Sequence, residues 1–408
     1  MDQNMYRGKA IVFLADGMAD EPSSEFEGKT PLEEVATPWM DKIASRGANG
    51  TFLTLPEGFP TSSDAANMSV MGYSLAQFYP GRGPIEAVAQ GIELGEDDIA
   101  WRCNLVYVQN GILKDYSAGH IDNEISTQLM KDLQAHFGNE KVTFYPGVSY
   151  RNLMVLHGKE FSANIDYQKP DSSQDEPVSE LGLKALDGSK EAAYTVEFVS
   201  DLMERSVEFL SRHPLNQNRN SPGNMIWPWS PGKKPRFVSF SEKYNGKKGA
   251  VISAVDVIIG IAQCAGMDVV RVPGATGFLD TNYEGKAQAA IEALKDHDLV
   301  YVHLEAIDEC SHLGDRNLKK QAISDFENRV VKPVMEALEG KGVTFGILPD
   351  HPVPIALRKH TRTPVPVAVW GEHVSCDSVT QYSEKSAPCG SLGLMQGEEF
   401  MRLMMNLK

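Results

Sequence analysis

Short apolar runs alternate with helical patterns along much of the chain. The runs are rich in β-branched and aromatic residues, as buried strands usually are; they are Lys9–Ala15, Leu299–Leu304, Val343–Leu348 and Val365–Trp370. Apolar residues at helical spacing cover Ala250–Ala265 and Lys319–Leu338, and each of these segments predicts a helix. Alternating strands and helices predict an α/β layer fold with a largely parallel sheet.

Acidic residues follow several of these predicted strands. Asp16 comes directly after the first run, Asp308 closely follows LVYVHL, and Asp350 follows VTFGIL. In parallel sheets, ligands gather outside the carboxyl ends of the strands. The pattern therefore predicts that these three carboxylates share one site.

The middle of the chain has a different texture. Strand-like pieces are mixed with polar stretches, and residues 213–235 read HPLNQNRNSPGNMIWPWSPGKKP, which predicts proline-rich linkers. We interpret residues 107–236 as a smaller α+β domain that serves as a lid and is inserted into a domain of residues 1–106 and 237–408. The alternative is a single domain with long surface decorations.

Length and charge narrow the possible functions. The chain has 408 residues, 42% of them hydrophobic, which is more than one ordinary core requires. A net charge of -16 disfavours nucleic acid or an anionic membrane as a partner, but a local metal or arginine cluster can still bind a small anion. No apolar run approaches the roughly 20 residues of a membrane span, and the N-terminus lacks the apolar core of a leader peptide. Five scattered cysteines without a CxxC pair favour reduced thiols, so we expect a cytoplasmic protein.

Candidate metal ligands lie close to the predicted strand ends. If Asp308 and His312 lie on a helix, their spacing of four places both side chains on one face. Asp350 and His351 are adjacent in a predicted loop, and His360 precedes the last predicted strand. Carboxylate oxygens and imidazole nitrogens together suit Mn, Zn or Co, and Mg also remains open. Taken singly, each pair can also be a structural coincidence.

Ser63, in FPTSSDAANMSV, is the candidate nucleophile. The residues after it can open a helix, whose N-terminal amides favour a bound phosphate. A serine hydroxyl is a weak nucleophile until a base or a cation activates it. The alternative is that Ser62 or Ser63 only caps the helix. The chain has no GxxxxGK[ST] loop for a nucleotide phosphate.

The ordered set Asp16-Gly, Ser63-Asp64, Asp308-x3-His312, Asp350-His351 and His360-Thr-x-x-Pro-Val-Pro resembles the alkaline phosphatase superfamily. Within it, GRGPIEA, WRCNL, GVSYRNL and PGATGFLDTNYEGK resemble the archaeal-type cofactor-independent phosphoglycerate mutases. The resemblance implies an alkaline-phosphatase-like sandwich with an inserted lid and two divalent cations. One cation would be held by Asp16, Ser63, Asp350 and His351, and the other by Asp308, His312 and His360.

The resemblance also implies a reaction. Ser63 would accept a phosphoryl group from 3-phosphoglycerate and return it to the other hydroxyl, which makes a small phosphorylated metabolite the partner of a monomer or homo-oligomer. The candidate substrate contacts are Asp64, Asn67, Arg82, Arg102, His120, Arg151 and Lys248.

Two positions depart from the mutase pattern. Asn67 stands where the archaeal mutases tend to have histidine, and His120 stands where they tend to have arginine. The segments SAGHI, NMIWPW and VISAVD look closer to a bacterial subgroup proposed to act as homoserine kinases in threonine synthesis. Homoserine phosphorylation, plain phosphomonoester hydrolysis and metal binding without catalysis therefore stay as alternatives. The phosphoryl acceptor, a role for ATP, the metal, the oligomeric state and the lid boundaries stay open.

Overall fold

The computed structural model describes residues 5–23 and 27–407. The first four residues, which the expectation about a leader peptide includes, lie outside these ranges. The strands are β1 Ala10–Ala15, β2 Ala48–Phe52, β3 Ile99–Gln109, β4 Ile112–Asp115, β5 Val142–Val148, β6 Arg151–Leu156, β7 Ile165–Asp166, β8 Lys184–Ala185, β9 Met225–Lys233, β10 Gly249–Ile252, β11 Asp268–Val269, β12 Leu299–Leu304, β13 Thr344–Leu348, β14 Val365–Trp370 and β15 Gly393–Met395.

The helices surround two separate sheets. They are α1 Pro31–Glu34, α2 Pro38–Arg46, α3 Ser63–Val70, α4 Leu75–Phe78, α5 Arg82–Ala89, α6 Asn123–Phe137, α7 Lys190–Ser211, α8 Phe240–Lys243, α9 Asp256–Cys264, α10 Tyr283–Ala293, α11 Ala306–His312, α12 Arg316–Phe326, α13 Lys332–Leu338 and α14 Glu399–Met404. A π-helical turn, Glu327–Val331, joins α12 to α13. Among the described helices, none is both long and apolar enough to cross a membrane.

The chain divides into two compact units, one made of Met1–Tyr79 with Phe237–Lys408 and the other of Pro80–Arg236. The second unit therefore begins earlier than the sequence-based boundary at residue 107. That boundary would cut β3, which pairs with both β6 and β9 and belongs to the inserted sheet.

The first unit is an α/β sandwich around an eight-stranded sheet in the order β11-β10-β12-β1-β13-β14-β2-β15. All six residues of β1 are buried, as its apolar sequence predicts for a central strand. The sheet is mostly parallel, but β14 runs antiparallel to both neighbours. It follows β13 through a loop rather than through a crossover helix, so the chain returns in the opposite direction.

The prediction of one helix over Ala250–Ala265 is wrong in its first part. β10 occupies Gly249–Ile252 and pairs with β11 and β12, and α9 begins only at Asp256. The valine and isoleucine that helical spacing assigned to one helix face instead fill a buried strand, as β-branched residues favour.

The second unit contains a five-stranded antiparallel sheet in the order β4-β3-β6-β5, with β9 also paired to β3. The segment predicted as proline-rich linkers thus contains a strand, β9, whose first eight residues are buried. Pro228 and Pro231 are tolerated because β9 pairs with β3 alone and lies at an edge. Trp227 and Trp229 anchor β9 in the core of this unit.

Candidate metal centre

The predicted ligands meet at one edge of the large sheet. Asp16 follows β1, Asp350 lies just after β13, and α11 carries Asp308 after β12, so three neighbouring strands deliver acids to their shared carboxyl edge. The antiparallel direction of β14 makes its start lie at this same edge. His360, five residues before β14, is therefore brought to the same place.

One group consists of Asp308, His312 and His360. The Nε2 atoms of the two histidines are 2.9 Å apart, and each lies about as close to Asp308, at 3.4 Å for His312 and 3.5 Å for His360. The Nδ1–H of His312 donates to the carbonyl oxygen of Arg358 over 3.0 Å. A backbone acceptor on one ring nitrogen leaves the other as a lone pair, which is the usual arrangement of a metal-bound histidine.

The second group consists of Asp16, Asp350 and His351, all completely buried. The His351 Nε2 lies 3.4 Å from an oxygen of each carboxylate. Ser63 joins this group, because its Oγ is 3.1 Å from the same nitrogen. The rings of His351 and His360 stack with centroids 3.8 Å apart, so the two groups are adjacent.

The electrostatics of this cluster fit cations. Burial and the neighbouring carboxylates raise the pKa of Asp16 well above its ordinary value, and burial raises the pKa of Asp350 to about 7. Among the described residues, the buried Asp16 Oδ1 and Asp308 Oδ1 have no hydrogen-bond partner. Buried carboxylates normally have partners. A divalent cation in each group would supply them and remove the repulsion that raises these pKa values.

Ser63 is the first residue of α3, as its sequence context predicted. Ser62 occupies the N-cap position, but its side chain makes no capping hydrogen bond in the described structure. The free amides at this helix end therefore stay available beside Ser63 for an anion. The buried Asp64 accepts a hydrogen bond of 2.6 Å from the hydroxyl of Tyr79.

Asn67 and Lys248 do not occupy the positions expected of substrate contacts. Asn67 is completely buried and donates to the Ser63 carbonyl and to Asp350, each over 2.8 Å. Lys248 immediately precedes β10, at the opposite edge of the sheet, where its carbonyl accepts from the amide of Asp298. The six residues of β12 separate the two edges by roughly 20 Å, so the predicted substrate contact at Lys248 is wrong.

Sequence reasoning missed several buried polar residues beside the ligands. Tyr301 donates to the Asn67 Oδ1 over 2.6 Å, and His303 Nε2 lies 3.0 Å from Asp16. Burial lowers the pKa of His303 well below its ordinary value, so its ring is neutral. Lys319 is completely buried and donates to Asp20 over 2.9 Å. The available signal was the occurrence of Tyr and His at alternate positions of the otherwise apolar run LVYVHL.

The second unit gathers three of the predicted arginines. Arg82 and Arg102 both donate to Glu86, and Arg102 lies 5.1 Å from the ring of Trp229. Arg151 is close enough for its charge to act on Arg102. Guanidinium groups exceed carboxylates in this set, which suits a carboxylate or phosphate ligand.

His120 lies in a constrained loop of the same unit. It and Ala118 have positive φ values of 49° and 51°, and Asp115 accepts hydrogen bonds from this loop. The His120 ring makes edge contacts with Tyr116 and Tyr150. Arg151 also lies against Tyr150, at 5.1 Å from its ring, so the loop and the arginine contact a common side chain.

Comparisons with known proteins agree on one family. The sequence profile described as 2,3-bisphosphoglycerate-independent phosphoglycerate mutase matches residues 44–216. A relative of that name from Methanosarcina acetivorans is 45% identical over 406 residues, which are 98% of this chain and 100% of the relative. A probable 2,3-bisphosphoglycerate-independent phosphoglycerate mutase from Geobacter sulfurreducens is 44% identical, with 98% and 100% of the two chains covered.

Solved structures show the same fold over nearly the whole chain. A protein from Pyrococcus horikoshii has a TM-score of 0.81 at 26% identity, and the match covers 98% of this chain and 96% of the other. A cofactor-independent phosphoglycerate mutase from Thermoplasma acidophilum has a TM-score of 0.64 at 27% identity, with 98% and 99% covered. The α/β class and the resemblance stated from the sequence are thereby confirmed.

Proposed function

Because this chain belongs to the 2,3-bisphosphoglycerate-independent phosphoglycerate mutase family, we propose that it interconverts 3-phosphoglycerate and 2-phosphoglycerate through a phosphoserine on Ser63. The observation that carries this proposal is the 3.1 Å contact between Ser63 Oγ and His351 Nε2, inside the carboxylate and histidine cluster. A serine at a helix N-terminus beside two ligand groups is suited to phosphoryl transfer.

Two divalent cations are part of the proposal. Asp16, Ser63, Asp350 and His351 would hold one of them, and Asp308, His312 and His360 would hold the other. When bound, such cations neutralise the phosphoryl oxygens and lower the pKa of the serine hydroxyl. The oxygen and nitrogen donors suit Mn, Zn or Co, and Mg is also compatible.

Ser63 performs the covalent step. Its Oγ forms a P–O bond while the ester P–O bond of 3-phosphoglycerate breaks, and the proton that Ser63 loses is taken up by the departing glycerate oxygen. The second half reverses these changes at the other glycerate hydroxyl, so no water and no phosphoryl donor is consumed. The first amides of α3 lie at the positive end of the helix, which favours the transferred phosphoryl group.

The second unit contributes charge recognition in this proposal. Arg82, Arg102 and Arg151 offer the planar donor pairs that bind a carboxylate or phosphate in two places. His120 is held next to Arg151 by its strained loop, and this position suits a contact with the glycerate. The inserted unit as a lid that excludes water is also a part of the proposal.

The decisive test compares Ser63→Ala with Ser62→Ala. Ser62 is a buried neighbour whose Oγ has no partner in the described structure, so it controls for the loss of a hydroxyl at this turn. With 3-phosphoglycerate and Mn²⁺, Ser63→Ala should abolish both phosphoenzyme and 2-phosphoglycerate, while Ser62→Ala keeps both. Substantial mutase activity in Ser63→Ala would refute the phosphoserine route.

A parallel assay separates the alternative reactions. The wild-type protein is given homoserine with ATP in one tube and 3-phosphoglycerate in another, and free phosphate is measured in both. We expect 2-phosphoglycerate with little free phosphate. Homoserine phosphate without mutase activity would establish the kinase alternative, and phosphate release alone would establish a phosphatase.

A further inference from the structure

We propose that Tyr301 and His303 are positioning residues that orient the carboxylates of Asp350 and Asp16 toward one cation. The inference rests on the proposed function only in assuming that these carboxylates bind a cation. Both residues lie on β12 and are completely buried. Because they are two positions apart in a strand, their side chains project from the same face of the sheet.

Tyr301 acts through Asn67. Its hydroxyl donates to the Asn67 Oδ1 over 2.6 Å, which fixes the direction of the amide. The amide nitrogen then donates to Asp350 Oδ2 over 2.8 Å and to the Ser63 carbonyl over 2.8 Å. Without the tyrosine hydroxyl, the amide can turn its oxygen toward Asp350, where two acceptors repel each other. One buried hydroxyl therefore decides whether Asp350 and the Ser63 turn share a donor.

The other oxygen of Asp350 is fixed by backbone donors. Its Oδ1 accepts from the amide of Gly17 over 3.2 Å and from the amide of His351 over 2.9 Å. With Asn67 on Oδ2, the carboxylate is oriented from both sides before any cation binds. Prior orientation lowers the cost of organising the ligands when the cation arrives.

His303 acts on Asp16 directly. The carboxylate Oδ2 can only accept, so the neutral ring carries its proton on Nε2 and donates over 3.0 Å. Nδ1 is then an acceptor, and the hydroxyl of Ser253 donates to it over 3.1 Å. The same serine oxygen accepts from the amide of Val255, so Ser253 is itself held in place. This chain fixes both the tautomer and the ring.

The chain of donors leaves one oxygen of Asp16 available. Oδ2 is occupied by His303, whereas Oδ1 faces His351 and has no hydrogen-bond partner among the described residues. Both anchors come from one face of β12, so the strand sets the spacing of two ligands contributed by other strands. The group of Asp308, His312 and His360 has no contact with either anchor in these hydrogen bonds, which predicts an effect on a single cation.

The test measures Mn²⁺ binding to chelator-treated full-length protein by calorimetry, together with manganese content after dialysis. Tyr301→Phe and His303→Leu should each weaken one of two cations by about 10- to 100-fold and leave the other unchanged. His303→Gln places an amide near the position of Nε2 and should restore most of the affinity. Tyr382→Phe is the matched control, since this buried tyrosine donates to the backbone of Pro366 over 2.9 Å away from these carboxylates.

The outcomes separate this inference from the proposed function. Unchanged Mn²⁺ affinity in both variants, or an equal loss in Tyr382→Phe, would overturn the positioning role. Loss of a whole third cation in His303→Leu would also overturn it, because Asp16, His303 and Glu305 would then be a ligand group of their own. If wild-type protein binds two cations and the variants weaken one, but no mutase activity is found, the inference holds and the proposed function fails.

Discussion

The Nε2 atoms of His312 and His360 lie 2.9 Å apart, and Asp308 is within 3.5 Å of both. Burial alone would lower the pKa of His312, yet the Asp308 carboxylate raises that pKa to about 9. Two imidazole nitrogens and a carboxylate oxygen at this spacing are typical of a cation site. The relationship leads to the first prediction.

Asp308→Asn should lower the metal content from two cations per chain to one. The amide keeps the size of the side chain but removes the charge that holds the cation against two neutral histidines. Inductively coupled plasma mass spectrometry after dialysis against Mn²⁺ measures the content. Asp325→Asn, on α12 beside Arg329, is the control, and two cations in Asp308→Asn would contradict the assignment.

Gly17→Ala should disturb the metal centre more than its backbone strain explains. Gly17 has φ +65°, and an added Cβ would lie 2.7 Å from the Asp308 Cα. Gly8→Ala is the matched control, with φ +77° and no atom within 4 Å of the added Cβ. Both variants should lose about 1–2 kcal/mol in urea unfolding from the left-handed conformation. Only Gly17→Ala should also weaken Mn²⁺ binding, by at least about tenfold; equal binding in the two variants would refute the close approach.

Lys319→Met should destabilise the first unit strongly. Lys319 is completely buried and donates to Asp20, to the carbonyl of Ala19 and to the carbonyl of Val353. Removing one partner of a buried ion pair typically costs about 3–5 kcal/mol, because the other charge stays buried. The unfolding midpoint in urea measures the loss. The double variant Lys319→Met/Asp20→Asn should recover part of it, and a single variant as stable as wild type would exclude this role.

Glu327 predicts a loss of stability with rising pH. Burial raises its pKa from 4.5 to about 7, although its carboxylate accepts from the amides of Trp39 and Met40 at the start of α2. The folded state therefore binds this proton more tightly than the unfolded state. Its contribution is complete below about pH 4.5 and is lost as the pH rises through 7.

The free energy of unfolding should thus fall by about 3 kcal/mol from this residue between those pH values. Urea unfolding at pH 5 and at pH 8 measures the change. Glu327→Gln cannot ionise and should show a smaller decrease than wild type over the same interval. Identical pH profiles of the two proteins would show that Glu327 does not titrate there.

Arg102→Lys should raise the KM for 3-phosphoglycerate by at least about tenfold while kcat changes less. Lysine keeps the charge but loses the planar pair of donors, a difference worth roughly 1.5–3 kcal/mol for a hydrogen bond to a charged group. Steady-state mutase kinetics measure both constants. Arg236→Lys, in the exposed pair with Glu96, is the control in the same unit. An unchanged KM in Arg102→Lys would remove it from the substrate contacts.

Much of the metal centre was predictable from local pattern. Asp16 and Asp350 follow apolar runs, and the carboxyl ends of parallel strands meet at one edge, so their proximity could be expected without coordinates. The spacing of Asp308 and His312 also specified one helix face, and α11 confirms it. The direction of β14 was not predictable in this way, because an apolar run looks the same in a parallel or an antiparallel strand.

The errors have a common physical cause. The run at Ala250–Ala265 contains apolar residues that satisfy strand and helix patterns alike, and only pairing with β11 and β12 selects a strand for its start. Lys248 was misplaced because the edge of the sheet at which it lies depends on that same pairing. Residues 213–235 carry loop-like prolines, but an edge position on β3 accommodates them within β9.

The sequence by itself determined the chemistry of this protein: an ordered set of carboxylates, histidines and one serine at strand ends, together with the family to which they point. These features depend on residue type and short spacing, which the chain carries explicitly. The tertiary structure alone decided which residues orient that chemistry. Tyr301, His303 and Lys319 meet their partners across about 230 to 300 positions of sequence, and such contacts arise only when the strands pair and water is excluded.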